Sequence, residues 1–124
     1  MTTAARRAGT ACLAIAHAAP WVWVLCLGLF AWAVTVKVGH FPSYSNPDPK
    51  HVAGLGLLYE ATVVLFFVAL LSPLVMGARA AVSLLRSGRW RNGPWASGVY
   101  LAGVSLTGAV AFGDAFGLMT WLLD

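Results

Sequence analysis

The sequence predicts an all-α membrane protein, with three transmembrane helices preceded by an alanine-rich N-terminal interfacial helix or extension. Composition comes first: of 124 residues, 60% are hydrophobic and only 10% charged, against about 25% charged in soluble domains. Second, apolar runs over about 21–38, 52–76 and 95–122 each reach the roughly 18–20 residues that cross about 30 Å of hydrocarbon. Third, none of the runs alternates with period 2, so helices rather than barrel strands must satisfy the backbone in lipid. A single transmembrane domain fills the chain.

The N-terminal stretch carries Arg6 and Arg7 before a run of alanines whose AHAA segment resembles a signal-peptidase site. We expect it to be retained, lying near the interface or entering the membrane at Pro20, which is the natural kink. His17 falls in this part and reads as an interfacial histidine. The first span opens on Trp21 and Trp23, suited to a headgroup belt, and closes on Lys37, which can snorkel or pair with a buried carboxylate. An outer loop, 39–51, follows. Its prolines 42, 47 and 49 force a turn, and Asp48 before Pro49 resembles an N-cap, so the second helix is expected to open there. Counted from that start, Glu60 lies about 16 Å along the helix and well inside the bilayer. Pro73 interrupts the second span, and Ser72 is placed to bond the carbonyl that it frees. The basic loop 77–94 contains Arg79, Arg86, Arg89 and Arg91, suited to anionic lipid headgroups.

The third span is rich in small residues. Gly103, Thr107, Val110, Asp114, Gly117 and Trp121 recur on one side at three- and four-residue steps, a face suited to close helix packing. Gly113 and Gly117 form a GxxxG match around the acid.

Sorting charges by loop puts Arg6, Arg7 and the four loop arginines on one side of the membrane and no arginine on the other. The positive-inside rule then sets both the N-terminus and the basic loop in the cytoplasm of an inner-membrane protein, and the C-terminus outside. The net charge of +4 serves orientation, and no nucleic-acid partner is expected.

Glu60 and Asp114 are acids within apolar sequence, each costing roughly 2.5–3.5 kcal/mol in hydrocarbon unless paired, wet or protonated. We expect them at a shared depth, either locking the bundle by pairing with Lys37, Tyr59, Tyr100, Ser or Thr groups or a partner subunit, or forming a proton or cation site or a pocket for a quinone or lipid headgroup. His40, Asp48 and His51 occupy the outer loop as solvated groups rather than metal ligands. Cys12 and Cys26 have no CxxC spacing. Enzymatic, metal and cofactor motifs are absent. Three helices enclose little interior, so the function expected is that of an accessory subunit or homo-oligomeric scaffold in contact with lipid and with other subunits. The alternatives are a homo-oligomeric channel or proton-coupled carrier using the two acids, and a quinone- or haem-binding redox subunit using His17, His40 or His51.

Overall fold

The computed structural model describes residues 3–42, 48, 51–87, 94–114 and 117–123. Among them lie α1 (Thr3–Val38), α2 (Gly56–Ser87), α3 (Pro94–Phe112) and the short α4 (Leu118–Leu123), with no strand. The protein is an all-α membrane protein: Gly9–Val38, Gly56–Arg86 and Trp95–Phe112 are each long and apolar enough to cross a bilayer.

α1 is the central helix. It runs antiparallel to α2, with Trp23 against Phe66 and Phe30 against Tyr59. It runs parallel to α3, with His17 on Tyr100 and Trp21 on Gly103. α2 and α3 meet only sparsely. Trp23, Leu27, Phe30, Val34, Phe66 and Ala69 build the interior between α1 and α2, and α4 adds Met119, Trp121 and Leu122 to the same cluster. In lipid, burying Leu against Phe gains little over burying it in acyl chains. Large apolar residues such as Leu57, Leu85 and Phe112 accordingly remain on the surface.

Several expectations are corrected. Of the two forms expected for the alanine-rich segment, it takes that of an extension rather than a separate interfacial helix: α1 continues through Pro20 from Thr3 to Val38. Trp21 therefore sits about 18 Å along from Gly9, and neither Trp21 nor Trp23 lies at a helix end. Trp23 is fully buried on Phe66 and so does not face headgroups, and Trp121 is fully buried on Phe30. α2 opens at Gly56 rather than at Pro49. Asp48 instead accepts a backbone hydrogen bond from His51, 3.1 Å long, within a turn that ends before the helix. The third run is not one helix, because α3 stops at Phe112 and Asp114 adopts a left-handed φ of 43°.

Candidate functional site

At the end of the bundle away from the arginines of α2, Lys37 donates from Nζ to the carbonyl of Ala53, tying the end of α1 to the turn before α2. This bond occupies Lys37 with a backbone partner rather than with either acid. Glu60 lies only four residues into α2, about 6 Å from its start, and is exposed. Nineteen residues separate it from Arg79, about 28 Å of helix, so the two bracket one hydrocarbon thickness. The sequence-based depth of Glu60 was too great because the prolines of the loop do not open α2. Among the described residues Glu60 has no hydrogen-bond or ion-pair partner.

Asp114 has a local role. Its Oδ1 accepts from the amides of Met119 (2.8 Å) and Thr120 (3.0 Å), and its Oδ2 from the Thr120 hydroxyl, so it caps α4. The Thr120 hydroxyl and then the Thr120 amide hold this carboxyl, which lies past the end of the third span, below its ordinary range; desolvation opposes them and the Met119 amide adds to them. Gly117, at φ 69°, donates its amide to the Asp114 carbonyl at 2.8 Å. Gly113 and Gly117 are thus turn residues between α3 and α4. The GxxxG reading fails because both glycines lie outside the helices, after α3 ends at Phe112 and before α4 begins at Leu118.

Gly103 and Thr107 face α1. A Cβ at Gly103 would lie 2.6 Å from Trp21 Nε1, which donates to the Val99 carbonyl at 3.1 Å. The buried Thr107 hydroxyl points to the Pro20 carbonyl at 3.4 Å. The opposite face of α3 carries Gly98, Ala102, Ser105 and Ala109, at steps of four, three and four residues, all exposed. Sequence reasoning singled out only the α1 face, because glycine and alanine occur all round this helix.

The histidines are dispersed. His40 Nδ1 lies 3.1 Å from the Phe41 carbonyl, and His51 Nδ1 2.5 Å from Asp48 Oδ2, all exposed near the Lys37 end of the bundle. His17 stacks on Tyr100 at 5.3 Å toward the arginine-bearing end. No cluster of three metal-ligating side chains occurs among the described residues. Cys12 and Cys26 are free.

At Tyr100, on which His17 of α1 stacks, α2 and α3 share a buried polar chain. Pro73 has no N–H, which frees the Ala69 carbonyl, and the Ser72 hydroxyl donates to it at 2.9 Å. With that proton committed, Ser72 Oγ accepts from the Tyr100 hydroxyl at 3.1 Å. Two cavities flank this chain, of about 500 Å³ beside His17 and Arg79 and of about 260 Å³ beside Pro73, Leu101 and Val104. Arg79 and Arg86 are exposed on α2, whereas Arg89 and Arg91 lie outside the described residues. No protein-family model, no curated protein and no solved structure matches the chain.

Proposed function

We propose that this chain is a small integral membrane protein serving as an accessory subunit or homo-oligomeric scaffold of an inner-membrane assembly, with the outward face of α3 as its docking surface. The observation that carries this is the exposed stripe Gly98, Ala102, Ser105 and Ala109, turned away from α1. Small residues let helix backbones approach closely enough for van der Waals packing and polar contacts to hold them in lipid, where burial itself drives no association. α3 is also the least covered span, with 17% of its residues buried against 33% for the first. Ser105 has no hydrogen-bond partner among the described residues, so a neighbouring helix would offer it one. The arginine distribution supports a cytoplasmic N-terminus and an external C-terminus.

A carrier built on the two acids has less support, since Asp114 is engaged in a cap and no contact joins it to Glu60 among the described residues. Native mass spectrometry of membrane extracts tests the docking face. The expected result is two or more copies, or a stoichiometric second chain, with dissociation when Ala102→Phe enlarges the stripe. A monomer in mild detergent, or an assembly indifferent to Ala102→Phe, would refute the proposal.

A further inference from the structure

The cavity at the arginine-bearing end has the chemistry of an amphiphile site. Its walls include Leu13, Ala14 and Met76, and its polar groups include His17 and Arg79. Neither the imidazole nor the guanidinium has a hydrogen-bond or ion-pair partner among the described residues. The acids at 48, 60 and 114 belong to the outer end, and among the described residues none lines this cavity. An anion is therefore the complement that the Arg79 guanidinium lacks, and the His17 imidazole beside it offers a ring nitrogen for a hydrogen bond. Met76 also lines the second, more apolar cleft, which runs past Gly77, Tyr100, Leu101 and Val104 between α2 and α3. The two cavities adjoin at Met76, so together they offer a polar head compartment and an apolar tail compartment, the latter between helices that meet only sparsely.

We propose that this cleft binds one anionic phospholipid, with its phosphate at Arg79 and His17 and an acyl chain along Leu101 and Val104, wedging α2 against α3. Basic recesses between transmembrane helices at the positively charged side are suited to anionic headgroups. An apolar ligand without charge would leave Arg79 uncompensated, and a free phosphate would leave the second cleft unfilled. The cleft would hold such a lipid whatever covers the outward face of α3.

The test is native mass spectrometry of the full chain in detergent, titrated separately with phosphatidylglycerol, phosphatidylcholine and inorganic phosphate. Phosphatidylglycerol is expected to be retained one per chain at lower concentration than phosphatidylcholine, with inorganic phosphate unable to displace it. Arg79→Ala should weaken phosphatidylglycerol retention roughly five-fold, as expected for one basic residue at an anionic headgroup, while Arg86→Ala, outside the cavity, should change it by less than about two-fold. A Cβ at Gly77 meets nothing within 4 Å, so Gly77→Leu starts from open space at the cleft wall, and it should abolish retention even if Arg79→Ala fails to fold. Equal retention of the two lipids, displacement by inorganic phosphate, equal losses in Arg79→Ala and Arg86→Ala, or undiminished binding in Gly77→Leu would each overturn the site.

Discussion

Gly103 leaves no room for a side chain, because the Trp21 indole occupies the space where a Cβ would stand. Moving that ring would break its hydrogen bond to the Val99 carbonyl. Gly103→Ala is therefore expected to destabilise the bundle by about 1–3 kcal/mol through overpacking. Gly98→Ala meets open space and should be neutral or stabilising by up to about 1 kcal/mol from helix propensity. Thermal unfolding of both variants in detergent checks the ordering, and equal midpoints would remove the close-approach role of Gly103. At Ser72 one hydroxyl serves two partners, the Ala69 carbonyl and Tyr100. Ser72→Ala leaves both unpaired in a buried site, a cost of about 1–3 kcal/mol, whereas Tyr100→Phe removes a single bond worth about 0.5–1.5 kcal/mol. The same unfolding assay should rank Ser72→Ala as the more damaging.

The short helix α4 is too brief to persist by itself, since isolated helices under about 12 residues are marginal in water. It is held by the Asp114 cap and by Met119, Trp121 and Leu122 in the cluster around Phe30. The Asp114 carboxyl sits below its ordinary value when α4 is formed. Its contribution is thus complete above that value, 3.8, and is lost as pH falls through the lower pKa of the folded state. Hydrogen exchange at the amides of Met119 and Thr120 should stay slow from neutral pH down to about that value, once the intrinsic pH dependence of exchange is removed. Asp114→Ala should expose these amides at neutral pH. Asp114→Asn, which keeps a carbonyl acceptor and tolerates the left-handed backbone, should protect them in part. Fast exchange in the unaltered protein at neutral pH would contradict the cap. Nothing in the sequence marked Asp114 as a cap: the residues around it continue the apolar run, and only the positive φ reveals the break.

For the whole molecule, Glu60 and Arg79 lie about 28 Å apart along α2, close to one hydrocarbon thickness. With Cys12 and Cys26 replaced, a cysteine at position 60 should react with a membrane-impermeant maleimide added outside. One at position 79 should react only after permeabilisation, and one at the buried Ala69 should stay unreactive. Labelling of positions 60 and 79 from one side would refute both the span and its orientation. α1 exceeds the bilayer: the 30 residues Gly9–Val38 reach about 45 Å against about 30 Å of hydrocarbon, so α1 tilts or projects beyond it. The site with the clearest ligand chemistry lies where the long helices carry their cations, and it gathers His17, Arg79 and Tyr100 from three separate helices.

The sequence by itself determined the solvent and the class of fold, because transfer of apolar residues into lipid depends on composition and run length, which are properties of a linear chain. It also placed Ser72 beside the carbonyl that Pro73 frees, a matter of adjacent residues. Tertiary structure decided the fate of each polar group. Whether Trp121 faces headgroups or Phe30, whether Asp114 pairs with a cation or caps α4, and whether Lys37 meets an acid or a carbonyl all turn on where helices stop and which sides they present. A backbone break of a few residues changes both without altering the hydropathy of the run.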